Sequence, residues 1–351
     1  MSQDVYVRLR EFLDKMPGSY PQTQSGVEFK ILKKIFTPEQ AELTMQLGPM
    51  PEPVSAIAAR MGTDRASLAG KLETMAREGL ILRVRTGEEA LYSAVSFVVG
   101  IYEFHLNTID RELSELFEEY LPHLGEVWKA QRTKPLRVVP INSSLQGGHA
   151  VASYEQIREL VKNKQLISVG PCICRKEQTL LGGKCDRPAE RCIGFDMAAQ
   201  YYIENGMSRQ ITQQELMDLL KMGEDRALVL CPTNSKEIIN LCMCCGCCCG
   251  LLRTLGKFDR PADHVENLYQ ARIDPELCTA CGVCQERCQV DAIREGDAVY
   301  EVSTARCIGC GLCVPSCPVE AISMVEKSEP VSVPNDIIEM NMRQLQERGL
   351  L

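Results

Sequence analysis

The sequence lacks the long hydrophobic runs that mark exported and membrane-spanning proteins. Residues Met1 to Tyr20 mix charged residues with short apolar pairs and contain no apolar core of signal-peptide length. The richest apolar stretch, Ala94 to Tyr102, falls short of the roughly 20 residues that a membrane helix needs. These absences predict a cytoplasmic protein with no membrane-spanning role.

The sequence also lacks a net positive charge and nucleotide-binding motifs. The net charge of -8 argues against general affinity for nucleic acid or anionic membranes, because both need a basic surface. No glycine-rich phosphate loop follows a strand, and no Cys-x-x-Cys-His haem motif is present. The composition therefore favours a protein partner that recognises an acidic face.

Histidine is scarce, and cysteine is absent from the first half of the chain. There are four histidines, none spaced as a ligand beside a cysteine group, while all nineteen cysteines lie between Cys172 and Cys317. A large chain without an export signal does not use such tight runs as disulfides, since neighbouring cysteines cannot pair locally. We therefore expect thiolate-only sites for iron or zinc, and an anaerobic or well-reduced host.

Eight cysteines form an internal repeat with a period of 29 residues. The spacing Cys-x2-Cys-x2-Cys-x3-Cys starts at Cys278 and again at Cys307, and Asp291-Ala292-Ile293 corresponds to Glu320-Ala321-Ile322. This pattern resembles the two halves of a bacterial dicluster ferredoxin. The alternative, a four-thiolate zinc site in each half, is chemically allowed but does not account for the doubled spacing.

The ferredoxin resemblance implies that each half donates its fourth cysteine to the cluster of the other half. The first 4Fe-4S cluster is then bound by Cys278, Cys281, Cys284 and Cys317. The second is bound by Cys307, Cys310, Cys313 and Cys288. One position departs from the usual pattern, because Gln289 follows Cys288 whereas the usual proline, Pro318, follows Cys317.

The other eleven cysteines lie in a central region. The first four are Cys172, Cys174, Cys185 and Cys192, and the glycines and proline between them allow the loop to bring four thiolates to one metal. A second run contains Cys242, Cys244, Cys245, Cys247, Cys248 and Cys249. Because adjacent residues of a strand point to opposite sides, one metal cannot easily bind all six. The region predicts a further iron-sulfur cluster or zinc, with Cys231 as a ligand or a buried small residue.

Periodicity predicts a multidomain α+β chain with a winged helix-turn-helix first. Helices are expected at Lys30–Phe36, Pro38–Gln46, Val54–Met61 and Thr63–Glu78, the last capped by Thr63, then a hairpin with strands Leu80–Arg85 and Ala90–Val95. Further along, the pattern predicts an apolar stripe in a connector helix (Phe104, Leu106, Ile109, Leu113 and Leu116), a strand at Leu136–Pro140 and a helix at Tyr154–Lys162. The predicted domains are a winged-helix domain with an N-terminal helical extension (1–97), a helical connector (98–135), a Cys-rich α/β domain (136–260), a dicluster ferredoxin domain (261–327) and a tail helix (328–351).

The charges of the predicted winged helix do not favour DNA. Between Glu28 and Glu89 there are nine Lys or Arg and nine Asp or Glu, and the hairpin tip carries Glu88 and Glu89. A local basic patch is still available from Arg65, Lys71, Arg77, Arg83 and Arg85. We therefore rank a protein-interaction or homodimer module, through this domain or the connector, ahead of a DNA reader.

The order of the motifs resembles a family of 4Fe-4S dicluster ferredoxin-domain proteins of anaerobes. That family has an N-terminal winged helix, a central domain with PCICR, GxxCD and CxCCGCCC motifs, and a C-terminal ferredoxin. Here these motifs are Pro171–Arg175, Gly182–Asp186, Cys242–Cys249 and Cys278–Cys317. The predicted function is an electron carrier or reductase subunit with a redox protein partner. Two other hypotheses stay open, a redox-sensing winged-helix regulator and an oxidoreductase that binds substrate at its central cluster.

Overall fold

The fold is described from a computed structural model that covers residues 3–87, 89–145, 156–328 and 331–351. Two sequence predictions fall partly outside these ranges. Glu88 of the hairpin tip is one, and Tyr154, where a helix to Lys162 was predicted to begin, is the other.

The chain begins with three short helices around an apolar core. They are α1 (Val5–Asp14), α2 (Val27–Ile35) and α3 (Pro38–Thr44). Thr37 and Gln40 form a reciprocal capping box, which satisfies two backbone donors at the start of α3. The buried faces carry side chains such as Leu9, Leu13 and Ile31.

Two further helices and a small antiparallel sheet follow. The helices are α4 (Val54–Met61) and α5 (Arg65–Arg77), and the strands β1 (Glu52–Pro53), β2 (Leu82–Thr86) and β3 (Glu89–Ser93) pair in the order β1-β3-β2. Gly62 ends α4 with a left-handed φ of 62°. Asp64, rather than the predicted Thr63, caps α5 by accepting from the Ser67 backbone N–H. The helices and hairpin thus lie where the sequence predicts them.

The connector packs into the same core instead of standing apart. It contains α6 (Tyr102–Phe104) and the twenty-residue α7 (Arg111–Ala130). The rings of Tyr102 and Phe117 stack with centroids 3.7 Å apart. Its predicted apolar stripe is largely buried within the chain, including Leu106, Ile109 and Leu113. One hydrophobic core therefore joins residues from Leu9 to Trp128, and it also includes Ile173, Tyr201 and Met207 of the central region.

A five-stranded antiparallel sheet organises the central region. Its strands pair in the order β6-β4-β5-β8-β7 and are β4 (Ile167–Pro171), β5 (Glu190–Phe195), β6 (Arg209–Gln210), β7 (Val229–Pro232) and β8 (Asn240–Cys244). The accompanying helices are α8 (Ile157–Val161), α9 (Ile173–Leu180), α10 (Met197–Glu204), α11 (Gln213–Asp225) and α12 (Gly250–Lys257). The strand predicted over Leu136–Pro140 instead contributes isolated bridges, to Thr233, Glu266 and Leu230. Prolines at 135 and 140 limit its ladder, because proline has no N–H.

The C-terminal region is built from short elements around the repeated cysteines. They are β9 (Tyr269–Ile273), α13 (Val283–Arg287), β10 (Ile293–Glu295), β11 (Tyr300–Val302) and β12 (Ile322–Glu326), with β9 paired to β12 and β10 to β11. A second hydrophobic core runs continuously from the central sheet into this region. The last helix, α14 (Ile337–Glu347), returns to the start of the chain, where Arg348 donates to the Met16 carbonyl at 2.6 Å. No helix of the described ranges has the length and apolarity to span a bilayer.

Candidate iron-sulfur and metal centres

The four cysteines assigned to the first cluster line one cavity. Cys278, Cys281, Cys284 and Cys317 surround it together with the apolar side chains of Ile273 and Ile322. The first three come from the loop and first turn of α13, while Cys317 comes from the other half of the repeat. Four thiols from two half-motifs around one space fit the donor set of a 4Fe-4S cluster.

The 29-residue repeat extends to the backbone conformation. Ala280 and Gly309 have φ values of 54° and 72°, and the equivalent pair Asp291 and Glu320 have 52° and 53°. Three of these are non-glycine residues in the left-handed region, a conformation that such residues rarely adopt without a structural reason. The two halves therefore share a chain path that spacing alone does not specify.

Backbone N–H groups donate to the fourth cysteine of each half, which is the one assigned to the cluster of the other half. The Ala292 N–H donates to Cys288 Sγ at 3.1 Å, and the Ala321 N–H donates to Cys317 Sγ at 3.2 Å. Asp291 and Glu320, the left-handed residues just before these donors, form the turns that aim them. Donors to a ligating sulfur stabilise its negative charge and tune the potential of a bound cluster.

The cysteines assigned to the second cluster are close together and more enclosed. Cys307 and Cys313 are both buried. Burial, followed by the nearby thiols of Cys310, Cys307 and Cys288, raises the pKa of Cys313. Cys284 of the first set also acts on Cys313, so the two sets lie side by side. Metal binding at such thiols must displace protons.

Gln289, the departure from the ferredoxin pattern, contacts the central region. Its side-chain Oε1 accepts from the Gly246 backbone N–H at 2.9 Å. A Cβ at Gly246 would lie 2.6 Å from the Gln289 backbone oxygen, so the two segments touch closely. Proline at position 289 has no side-chain acceptor for this bond, which gives the departure a structural reason.

The eleven central cysteines separate into two groups. The four-thiol group is Cys185, Cys245, Cys247 and Cys248, whose sulfurs all lie within 4.8 Å of one another. The relay group contains the other seven, Cys172, Cys174, Cys192, Cys231, Cys242, Cys244 and Cys249. Cys185 therefore lies with the second cysteine run, and not with the first run as its position in the sequence predicts.

Sheet register and two helix starts assemble the relay group. Cys192 and Cys231 each lie opposite Cys242 on the neighbouring strands, so the three side chains project from one sheet face. Cys172 precedes α9 and Cys249 precedes α12. A hydrogen bond with Cys174, followed by burial, raises the pKa of Cys172. Hydrogen bonds from Cys174 and Cys244 lower the pKa of Cys249 to about 6. Seven thiols spread in this way are a donor set wide enough for an iron-sulfur cluster.

Cys231 joins the relay group to the second ferredoxin set. It is fully buried in β7, and on one side its thiol is close enough to Cys244 to help raise the pKa of that residue. On the other side it is close enough to Cys310 to contribute to the raised pKa of that thiol, after burial and the nearer ferredoxin cysteines. The sequence left Cys231 undecided because it is isolated along the chain, and its neighbours become apparent only in the fold.

Two arginines that the sequence analysis did not select reach the four-thiol group. The buried Arg191 donates to Cys245 Sγ at 3.2 Å, and Arg187 donates to Cys247 Sγ at 3.6 Å. A hydrogen bond from Cys248, together with Arg191, lowers the pKa of Cys245 to about 4 against the opposing effect of burial. Their place in the segment between Cys185 and Cys192 is the signal that could have indicated them.

The basic patch considered for DNA is mostly engaged in ion pairs within the chain. Arg83 is buried and pairs with Glu73 at 2.8 Å and Glu204 at 2.7 Å, and Arg85 pairs with Glu204 at 2.9 Å. Arg77 likewise pairs with Glu73, and Lys71 with Glu39. These carboxylates cancel the positive field that phosphate binding needs, so the geometry gives a DNA interface no support.

Comparison with known families agrees with the C-terminal geometry. Residues 271–324 match a family model described as a 4Fe-4S dicluster domain, and residues 306–345 match a second model with the same description. The C-terminal region is therefore ferredoxin-like, of a type that carries iron-sulfur clusters for electron transfer. Searches of curated proteins and of solved structures gave no match.

Proposed function

We propose that this chain is an electron-transfer protein that connects a dicluster ferredoxin to a third iron-sulfur centre in its central domain, as an electron carrier or a reductase subunit. The observation that carries the proposal is a contact through Val139 and Ile141. Their N–H groups donate to the carbonyl of Leu230, the neighbour of Cys231 in β7, and to the carbonyl of Cys310, each at 3.1 Å. Each cluster, when bound, accepts and donates single electrons. The chain packs these sites around the fully buried Cys231.

The ligand sets belong to this proposal. The first cluster takes Cys278, Cys281, Cys284 and Cys317, and the second takes Cys307, Cys310, Cys313 and Cys288. The third centre draws its ligands from the relay group. A continuous order of sites is supported by one hydrophobic core that contains cysteines of both ferredoxin sets and of the relay group: Cys284, Cys313, Cys231, Cys244 and Cys249.

The exposure of the residues around the first cluster supports this cluster as the one that exchanges electrons with a redox partner. Cys281 is exposed, and Leu277, Val283 and Val319 place exposed apolar side chains around the same end of the module. Cys307 and Cys313 of the second set are buried. Because residues 272–325 carry four Arg against eight Asp or Glu, the partner is proposed to be a protein with a basic docking face.

The wider organisation remains part of the proposal. It comprises the five domains at 1–97, 98–135, 136–260, 261–327 and 328–351, a winged helix that contacts protein, and a cytoplasmic location. The ion pairs from Arg83 and Arg85 to Glu204 on α10 support a structural role for the hairpin, because they join it to the central domain.

Iron and acid-labile sulfide per chain, measured on full-length protein purified without oxygen, test the proposal. Two ferredoxin clusters account for about eight iron, and a third cubane brings the total to about twelve. The proposal expects about twelve. A value of about eight, with the relay group still composed of free thiols, would contradict a third iron-sulfur centre.

A further inference from the structure

The four-thiol group has the dimensions of a site for one metal ion. Cys247 Sγ lies 3.3 Å from Cys245 Sγ and 3.7 Å from each of the Cys185 and Cys248 sulfurs. All four sulfurs fall within 4.8 Å of one another. Four thiolates bound to one tetrahedral ion at a bond length of 2.3 Å stand roughly 3.8 Å apart.

A cubane cluster or disulfides account less well for this spacing. In a 4Fe-4S cluster each cysteine thiolate binds a different iron and lies on the outside of the cube. The four cysteine sulfurs are therefore farther apart than four thiolates that share one metal ion. Disulfide bonds need a sulfur separation of about 2 Å, and all four residues are free cysteines. The distances therefore fit a mononuclear centre.

We propose that Cys185, Cys245, Cys247 and Cys248 bind a single tetrahedral zinc ion that is separate from the iron-sulfur centres. Zinc suits a closed site of four thiolates, has no redox chemistry of its own, and acts structurally when every position is filled by protein. The proposal does not depend on electron transfer, because zinc content and iron content are measured independently.

The surroundings compensate the charge of such a centre. Zinc with four thiolates carries a charge of -2, and two guanidinium groups donate to its sulfurs. Arg191 donates to Cys245 Sγ at 3.2 Å, and Arg187 donates to Cys247 Sγ at 3.6 Å. Donors of this kind fix the orientation of ligands and stabilise their thiolate form.

The zinc ion would join two segments that have no regular structure of their own. Cys185 lies in the loop between α9 and β5, which is otherwise held by polar contacts such as the ion pair from Arg226 to Asp186 at 3.0 Å. The other three ligands lie in the turn between β8 and α12. Fixing that turn also fixes Cys244 and Cys249 at its two ends, and Gly246, which contacts Gln289 of the ferredoxin module.

The test begins with wild-type, full-length protein purified without oxygen from zinc-replete cells. We expect about one zinc per chain, and X-ray absorption at the zinc edge should show four sulfur neighbours at about 2.3 Å with no iron neighbour. Sub-stoichiometric zinc would overturn the proposal. So would an absorption spectrum that shows an iron neighbour of the zinc, or nitrogen and oxygen ligands in place of sulfur. This measurement needs no variant and so does not depend on how well a variant folds.

A pair of variants then assigns the residues. Cys185→Ser with Cys247→Ser should lower zinc at least about tenfold while the iron of the ferredoxin clusters is retained, which also reports that the chain has folded. Cys249→Ser, a matched change in the same cysteine run, should keep zinc and lower iron. Retention of zinc by the double variant, or loss of zinc from Cys249→Ser with iron unchanged, would overturn the assignment.

Discussion

Gly309→Ala should selectively weaken the second ferredoxin half. Gly309 has a φ of 72°, and a Cβ there would overlap the backbone oxygen of Tyr269 and lie 2.8 Å from Asn267 Oδ1. Tyr269 begins β9, whose Ala271 N–H donates to Cys307 Sγ at 3.4 Å. A shift of Tyr269 away from the new methyl group therefore also moves a donor to the second cluster.

The cost of this substitution can be worked from the two effects. A left-handed conformation costs a non-glycine residue about 1–2 kcal/mol, and forcing a methyl group into packed backbone costs about 1–3 kcal/mol. The sum is about 2–5 kcal/mol, which corresponds to a roughly thirtyfold or larger change in an equilibrium constant, of which a part falls on the unfolding rate. Ala280 is the equivalent residue of the first half and tolerates a φ of 54°, so the main difference at Gly309 is the missing space.

The assay is the rate at which visible absorbance is lost on heating without oxygen, because unfolding of a cluster protein is not a simple two-state equilibrium. Gly309→Ala should lose absorbance at least about tenfold faster than wild type, and lose half of its ferredoxin iron first. The matched control, Ala280→Gly, removes a methyl group at the equivalent position and should stay within about threefold of wild type. Equal rates for Gly309→Ala and wild type would refute the steric reasoning.

Two other predictions concern contacts between regions. Burial, followed by the hydrogen bond with Glu118, raises the pKa of Glu177 to about 9. The folded state therefore keeps a proton that the unfolded state has lost, and stability falls as pH rises from about 4.5 towards 9. Glu177→Gln should weaken the dependence of the thermal midpoint on pH between pH 6 and 8. A variant with the same pH dependence as wild type would contradict this. Gln289→Ala removes the acceptor of the Gly246 N–H, and should destabilise the holoprotein by about 1–2 kcal/mol. Gln285→Ala, an exposed site nearby, is its control, and equal thermal midpoints for the two variants would argue against the contact.

The ferredoxin domain was largely predictable, because its information is local. The ligand spacing, the 29-residue repeat and the small residues at Gly282 and Gly311 are visible in one short segment. The last helix was also predictable, since Asp336 is a good N-cap and the structure uses it so, through a bond from the Glu339 N–H.

The central site was less predictable because its contacts are made between distant segments. Cys185 and Cys247 are 62 residues apart, and nothing in the local spacing indicates that they meet before Cys185 meets Cys172 or Cys192. The register that places Cys192 and Cys231 opposite Cys242 depends on strand order, which composition does not specify. Only the presence of a metal-binding region could be inferred from the cysteine density.

Magnetic coupling between the reduced centres tests the central claim most directly. The fully reduced, full-length protein should give an electron paramagnetic resonance spectrum in which the second ferredoxin cluster interacts with a third centre. The reason is that Val139 and Ile141 hydrogen-bond to Leu230, next to Cys231 of the relay group, and to Cys310. In Cys174→Ser with Cys249→Ser, that interaction should disappear and leave only the coupling of the two ferredoxin clusters. Identical spectra for wild type and this variant would contradict an electron path from the ferredoxin into the central domain.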